Sequence, residues 1–366
     1  MKLALRELVR RPWRFAGPVA TLTVLAFLLL FLGGLIDGLY LGSTGAIRAQ
    51  DADVFTYSAA SRDAFLRSRI TGELRSAIED ADGVTATGGL GIALLGAAVP
   101  GETELADAAV IGYELPPTGV PEPPDAGTAW ADERLEAFGV RDGDTLLLGP
   151  ARTPITVVGF VKDTNYLMQG ALWVDLPTWR DVQNANRPDS AVSEDVVQVV
   201  VARGDAAPAE LAARIDAATA DETSSLTKAE AELSLPGTKE QKSTFNAIIG
   251  TTYAVVVAIV ALFFALITLE RTPLYGVLKA IGASTRQLFA GVSLQAVVLT
   301  GISFAIGAAL AFGLGAVTPP DFPLLLRSNR AVTTLLLLMV CSVVGSLTSL
   351  RRVIRIDAAT SIGTGI

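Results

Sequence analysis

Four long runs without a charged residue constrain this chain of 366 residues more than any other feature. The runs are Phe15–Ile36, Ser243–Leu269, Gln287–Pro320 and Ala331–Leu350. A membrane-spanning helix needs about 20 apolar residues, so each run is long enough to cross a bilayer. A buried core helix of a soluble protein could account for one such run. Four in one chain favour a membrane protein with four transmembrane α-helices.

The predicted transmembrane helices cover residues 15–36, 243–269, 287–318 and 331–350. The third helix stops before Pro319 because proline cannot continue a helix, which leaves 319–330 as a loop. The first run could instead be a cleaved signal peptide. Its apolar part is longer than is usual for such peptides and no small-residue cleavage site follows it, so we predict a retained helix.

The distribution of charge predicts how these helices are oriented. The segment 37–242 holds 16 basic and 33 acidic residues, whereas the flanks 1–14, 270–286 and 351–366 together hold 11 Lys or Arg and three acids. Short basic segments beside spanning helices mark the cytoplasmic side. We therefore expect a multi-pass protein of the bacterial plasma membrane with an amphipathic N-terminal segment and both termini in the cytoplasm. The same rule explains the basic flanks without nucleic acid.

The segment 37–242 is predicted to be a large extracytoplasmic α/β domain between helices 1 and 2. Apolar periodicity predicts strands in "DADVFTYSA", "GVTATGGLGIALLGAAV", "ADAAVIGYEL", "GALWVDL" and "DVVQVVVARG", with two more in "VRDGDTLLLGPARTPITVVGFVKD". Helices are predicted in "TGELRSAIEDA", "PTWRDVQNAN" and "APAELAARIDAAT". The prolines of "PPTGVPEPPDAGT" indicate a surface loop. Residues 226–242 are expected to continue as helix into the second span.

The segment 270–286 has the pattern of a short amphipathic helix between the second and third spans. Thr272 suits the N-cap, Pro273 the first helical position and Gly282 the helix stop, and Ser284 can cap the next helix. An apolar stripe follows the i, i+3, i+4, i+7 spacing at Leu274, Val277, Leu278 and Ile281. Lys279 is expected to face water. The stripe could pack on the helical bundle or dock on a cytoplasmic partner, and periodicity alone does not decide between them.

The residue inventory argues against an enzyme. The sequence has no histidine, which excludes His-based catalytic triads and His metal sites, and it has no G-x-x-x-x-G-K-[ST] phosphate-binding loop. Its acidic residues show no spacing specific to a metal site, and the single cysteine, Cys341, lies inside the fourth run. We predict no catalytic residue, no metal and no intrinsic cofactor, so energy must come from another polypeptide.

The stretch "ERTPLYGVLKAIGASTRQL" resembles the cytoplasmic segment of FtsX-like, MacB-type ABC transporter permeases. The resemblance covers the whole chain, from the first span to the "RVIRIDAATSIG" tail, where Ala358 stands in place of the usual proline. It implies a separate ABC ATPase subunit as partner. The residues of this chain that would dock into that subunit are Leu274, Val277, Leu278, Lys279, Ile281 and Gly282.

The stretches "GFVKDTNYLMQG" and "SLQAVVLT" resemble the haem-exporting members of that family, which implies haem as the substrate. Without histidine, the iron ligand would be a tyrosine or methionine. The candidates, all predicted to approach the outer interface, are Tyr166, Met168, Tyr40 and Tyr253. Each tyrosine could instead be an interfacial anchor or a packing residue. Lys239 and Lys242 could meet the propionates, or simply be solvated.

Two small-residue faces and two alternative functions complete the predictions from the sequence. Gly34 and Gly38 on the first span are candidates for a homodimer interface, since small residues let helices approach closely in lipid. The small residues of the third span, from Ser303 to Gly315, could serve the same purpose but more often pack within one subunit. Export of lipoprotein, peptide or another amphiphile, and FtsX-like regulation of a cell-wall hydrolase, are the alternative functions.

Overall fold

The computed structural model describes residues 13–270, 281–282, 284–319 and 322–354. Contacts divide the chain into an inserted domain, Leu39–Lys242, and a membrane unit made of Met1–Gly38 and Ser243–Ile366. In chain order the elements are α1 (Trp13–Ala49), β1 (Val54–Ser58), α2 (Gly72–Glu79), β2 (Val84–Ala98), β3 (Leu105–Tyr113), β4 (Thr128–Asp132), β5 (Thr145–Leu148), β6 (Thr153–Val161), β7 (Gly170–Asp175), α3 (Leu176–Asn186), β8 (Val199–Gly204), α4 (Pro208–Ala218), β9 (Thr223–Thr227), α5 (Lys228–Ser234), α6 (Thr238–Glu270), α7 (Thr285–Val317) and α8 (Ser328–Ile354).

The predicted fold class is confirmed: four long apolar helices, with a mixed α/β domain between the first and the second. Within the described residues, four helices are long and apolar enough to cross a membrane: Phe15–Ala49, Thr238–Phe263, Ala290–Val317 and Ser328–Ser346. Helix α7 begins with a capping box in which the Ser284 hydroxyl accepts from the Gln287 N–H, as expected for Ser284.

Helix α1 is longer than the sequence pattern indicates. The apolar run ends at Ile36, but the helix continues without a break to Ala49. Its last turns are stabilised by burial, because Ala46 and Ile47 are 3% and 2% exposed and belong to the core of the inserted domain. The predicted start of that domain at residue 37 therefore falls inside a continuous helix.

The membrane unit is held together by one apolar core and a few hydroxyl hydrogen bonds. Buried side chains come from all four long helices: Phe15, Leu22, Ala26, Leu29, Val256, Val260, Val292, Ala296, Leu299 and Leu338. The Thr300 and Ser342 hydroxyls form a buried hydrogen bond of 2.5 Å between α7 and α8. Such bonds satisfy polar groups that lipid cannot. Exposed apolar side chains such as Leu310 and Leu336 suit contact with lipid.

The inserted domain is built on a nine-stranded sheet, counted over the described residues. The strand order is β3-β7-β4-β6-β5-β2-β8-β1-β9, and β2 also pairs with β3, so six of the strands close into a ring. The pairs β3–β7 and β4–β6 are parallel and the other pairs are antiparallel. The ring can close because β2 is long. One of its edges pairs with β3, and the other pairs with β8 near the start of β2 and with β5 near its end.

Each face of the sheet carries its own core. Along β8, Val200 and Ala202 belong to the core that also contains Trp179 of α3, whereas Val199 and Val201 belong to the core that contains Trp173. This alternation is the period-2 pattern of a strand buried on both faces. The predicted strands and helices of the domain are present, and α3 starts as expected with Pro177 in its first turn.

Two parts of the domain differ from the prediction. Strand β4 follows the proline-rich loop directly and was not predicted, because five residues are too few for a clear period. The predicted helix over 226–242 is wrong in its first part: "TSSLT" forms β9, which pairs with β1. Helix α5 then ends before Pro236 and Gly237, and α6 begins at Thr238. Proline and a glycine with φ 77° explain the break.

Candidate functional site

A cavity of about 370 Å³ opens in the membrane unit where α1, α6 and α8 meet. Its charged and aromatic lining comes from Asp37 of α1, Tyr253 of α6, Arg330 of α8, and Arg327, which precedes α8. The remaining lining is Ile249, Asn329, Thr333, Thr334 and Leu337. This volume lies at the lower end of the range of small-molecule sites, which is about 300–1,000 Å³. The cavity therefore combines an apolar wall with a concentrated polar end.

Asp37 and Arg330 form the ion pair of this cavity. The guanidinium donates from Nε and Nη2 to the two oxygens of the carboxylate, which is the bidentate geometry that arginine favours. A glycine one turn before Asp37 makes room for the arginine, because a Cβ on Gly33 would lie 2.6 Å from Cδ of Arg330. Glycine at residue 33 thus lets the Arg330 side chain lie directly against α1.

Arg327 gives the cavity an excess of positive charge. Its side chain is exposed, and over the described ranges it has no acidic partner. Two arginines therefore face one carboxylate. The sequence carries a signal for this cluster that a search by residue type misses: Asp37 directly follows the first uncharged run, and Arg330 directly precedes the fourth.

The glycines proposed for a dimer interface are instead covered by their own chain. A Cβ on Gly34 would lie 2.7 Å from Cδ2 of Leu326, and a Cβ on Gly38 would lie 2.2 Å from the carbonyl oxygen of Pro323. The segment between α7 and α8 occupies this face of α1. The assignment of Gly34 and Gly38 to a dimer contact is therefore wrong, because a second helix cannot take the same space.

The small residues of the third span also pack within the chain. Ser303 donates its hydroxyl to the carbonyl oxygen of Val19 at 3.2 Å. A Cβ on Gly307 would lie 2.9 Å from the carbonyl oxygen of Thr23, and Ala311 is 1% exposed. This face of α7 therefore lies directly against α1, as expected if it packs within one subunit.

The four candidate haem ligands are divided between the two units. Tyr253 lies in the cavity of the membrane unit, whereas Tyr40, Tyr166 and Met168 lie in the inserted domain. The Tyr40 hydroxyl donates to the Glu232 carboxylate, and the Lys242 ammonium sits 5.1 Å from the centre of the Tyr40 ring. These contacts engage both the hydroxyl and the ring of Tyr40 within the domain, and they engage Lys242 as well.

Tyr166 is a core residue, which contradicts its prediction as an accessible haem ligand. It is 1% exposed and its ring meets the edge of Phe65 with 6.1 Å between centroids. Burial also raises the pKa of the Tyr166 phenol, which disfavours the phenolate that would bind iron.

The loop that carries Tyr166 docks on the last turns of α1. The backbone N–H groups of Leu167 and Met168 donate to the carbonyls of Ser43 and Gly42, each at 3.0 Å. Met168 is half-buried, and a Cβ on Gly42 would lie 2.7 Å from its sulfur. The Met168 thioether thus packs on α1 rather than standing free as a ligand.

Most of the predicted docking residues, namely Leu274, Val277, Leu278 and Lys279, lie outside the described residues. Of the other two, Ile281 is 79% exposed and Gly282 has φ 101°, a backbone conformation typical of a glycine that ends a helix. The exposed Ile281 is compatible with an apolar contact to a partner.

Comparison with known proteins finds a family match near the C-terminal end of the chain. Residues 246–358 match the family described as FtsX-like permease C-terminal. Two proteins named as hemin transport system permease HrtB, from two strains of Staphylococcus epidermidis, are 24% identical over 234 residues. That match covers 64% of this chain and 63% of each relative, so the chain spans less than two thirds of their length. An HrtB of Staphylococcus haemolyticus is 25% identical over 118 residues, 32% of this chain and 34% of the relative.

Two solved structures resemble part of the chain at low similarity. The periplasmic region of MacB from Actinobacillus actinomycetemcomitans has a TM-score of 0.35 at 11% identity, covering 51% of this chain and 94% of that one. The extracellular domain of the transporter YknZ from Gram-positive bacteria has a TM-score of 0.33 at 12% identity, covering 48% and 98%. By sequence, residues 246–358 match the FtsX-like permease C-terminal family, and the chain is similar to HrtB permeases over 234 residues.

Proposed function

We propose that this chain is the permease subunit of an ABC exporter that expels haem from the membrane or its outer leaflet. The observation that supports haem is the similarity to HrtB permeases over 64% of the chain. The energy source is a separate, HrtA-like ATPase subunit, because this sequence has no phosphate-binding loop of its own. Both termini and residues 270–286 face the cytoplasm, and the inserted domain lies outside.

The residues that line the cavity at Asp37 suit the chemical groups of haem. Tyr253 is the one of the four candidate ligands that lines it, and tyrosine is an established axial ligand of haem iron. Apolar side chains such as Ile249 and Leu337 suit the porphyrin ring, and the arginines suit its propionates.

The growth of cells that lack this chain tests the function. Such cells should be more sensitive to added haem than the parent, and the wild-type chain should restore tolerance. A cell-separation defect with unchanged haem tolerance would instead support regulation of a cell-wall hydrolase. Loss of lipoprotein or peptide export with unchanged haem tolerance would support a different amphiphile as substrate.

A homodimer through α6 is part of the proposal. Only 17% of the α6 span is buried within the chain, against 39% of the α1 span. Small residues follow the 4-3-4-3-4 spacing of a helix–helix seam along α6, at Ala247, Thr251, Ala254, Ala258, Ala261 and Ala265, and the first four are exposed. Small residues let two helices approach closely in lipid. A second copy of this chain, packed along α6, would cover the seam.

Replacing Ala254 with Phe should loosen this dimer, because the ring would hold the two α6 helices apart. We expect the dissociation constant of the dimer in detergent to rise at least about tenfold, an effect of about 1.4 kcal/mol. Ala309→Phe is the control, since Ala309 is exposed on α7. Equal dimer fractions in both variants would exclude the α6 seam.

A further inference from the structure

We infer that the cavity at Asp37 is an anion site, in which Arg327 and Arg330 bind the carboxylate or phosphate group of a membrane-borne amphiphile. Asp37 acts there as an internal competitor of the ligand. The inference rests on the proposed function and deepens it, because it names the chemical group that the permease recognises: the haem propionates, or the anionic headgroup of a lipid.

The position of the charges favours an amphiphile over a soluble anion. Asp37 and Arg330 border uncharged runs of 22 and 20 residues, Phe15–Ile36 and Ala331–Leu350. Charged side chains at the ends of spanning helices lie at the level of the lipid headgroups. Ile249 and Leu337 extend the lining along α6 and α8. A ligand with an apolar body and an anionic end matches this order of surfaces.

The two arginines have different roles because their surroundings differ. Arg327 is exposed and, in the part of the chain that the structure describes, has no carboxylate to neutralise it. It is therefore available to capture an anion first. Arg330 already holds Asp37 through two hydrogen bonds, and their side chains are 35% and 17% exposed. An arriving carboxylate offers Arg330 the same bidentate geometry, so it can replace Asp37.

Competition by Asp37 suits a transport site. The ligand must displace a carboxylate that belongs to the protein, so part of the binding energy is offset in every cycle. When the ligand leaves, Asp37 returns to Arg330, and this half-buried arginine is not left unpaired. A site with two free arginines would retain an anion more strongly. Removal of the Asp37 charge should therefore tighten binding, whereas a purely structural ion pair would only destabilise the protein when broken.

The test compares haem with haem dimethyl ester, which keeps the iron and the ring but lacks the two negative charges. The full-length chain is placed in phosphatidylcholine nanodiscs, and binding is followed by the Soret absorbance. We expect wild type to bind haem about tenfold more tightly than the ester, as for one charge-assisted hydrogen bond. Arg327→Gln should remove this preference. The control Arg152→Gln, an exposed arginine of the β5–β6 hairpin, should keep it.

Asp37→Asn should change the preference for haem over the ester in the opposite direction to Arg327→Gln. We expect it to raise the preference for haem over the ester by about threefold or more, because Arg330 loses its internal partner. Equal affinities for haem and ester in wild type would overturn the inference. The inference would also be overturned if Arg327→Gln left the preference for haem intact, or if Asp37→Asn reduced that preference.

A lipid arm separates this inference from the proposed function. If wild type binds neither porphyrin, the haem proposal fails, and the site is judged by the thermal midpoint in phosphatidylglycerol against phosphatidylcholine nanodiscs. A stabilisation by phosphatidylglycerol that Arg327→Gln loses and Arg152→Gln retains would support a headgroup site. Equal midpoints of wild type and Arg327→Gln in both lipids would overturn it.

Discussion

Replacing Leu278 with Asp is expected to separate this chain from the proposed ATPase subunit while the membrane fold survives. Leu278 belongs to the apolar stripe of residues 274–281, which we propose to bury against the ATPase. An unpaired carboxylate in an apolar contact costs several kcal/mol, and each 1.4 kcal/mol is a factor of ten in affinity. Co-purification of the ATPase with the tagged permease should therefore fall at least about a hundredfold.

The matched control is Arg286→Asp, which introduces the same carboxylate in the first turn of α7. Arg286 is exposed, and an acidic residue is favourable at a helix N-terminus, so association should persist. Both variants should show the wild-type elution profile in detergent. Undiminished co-purification of Leu278→Asp with the ATPase would contradict the docking role of the stripe.

Gly307→Leu is expected to destabilise the membrane unit strongly. Any Cβ at this position meets the backbone of α1, with the Thr23 carbonyl oxygen at 2.9 Å and the Phe27 nitrogen at 3.0 Å. Backbone atoms cannot turn away as a side chain can, so α7 and α1 must separate. Such overpacking costs about 3 kcal/mol or more. A lower thermal midpoint in detergent would report the loss.

Gly301→Leu, on the same helix, isolates the steric effect from the change of residue type. A Cβ on Gly301 would meet no atom within 4 Å, so a leucine there projects into open space. Its thermal midpoint should stay close to that of wild type. If both variants lost the same stability, the α1–α7 contact would not be the reason for glycine at residue 307.

The membrane helices could be predicted from the sequence because a bilayer imposes one simple requirement, a long run without charge. Strands of the inserted domain could be predicted for a similar local reason, because short apolar runs such as residues 199–202 are typical of buried strands. The end of α1 was not. Its continuation to Ala49 depends on burial of Ala46 and Ile47 in a core assembled by residues far along the chain.

The candidate site depends even more on contacts between residues far apart in the sequence. Tyr166 and Met168 are candidates by donor type and by the resemblance of the stretch that holds them, yet Tyr166 lies in the core and Met168 packs against α1. The ion pair of Asp37 and Arg330 joins positions 293 residues apart, and a local pattern cannot pair them. Both residues nevertheless stand at the borders of uncharged runs, and a charge beside a spanning run is a signal to look for a partner.

ATP-dependent release of haem from proteoliposomes tests the central claim most directly. The vesicles would contain this chain with its ATPase and haem-loaded membrane, and an external haem-binding protein would report release by its Soret band. We predict that ATP accelerates the transfer and that Leu278→Asp reduces it to the rate without ATP. Vigorous ATP hydrolysis with haem transfer no faster than in the ATP-free control would contradict haem export.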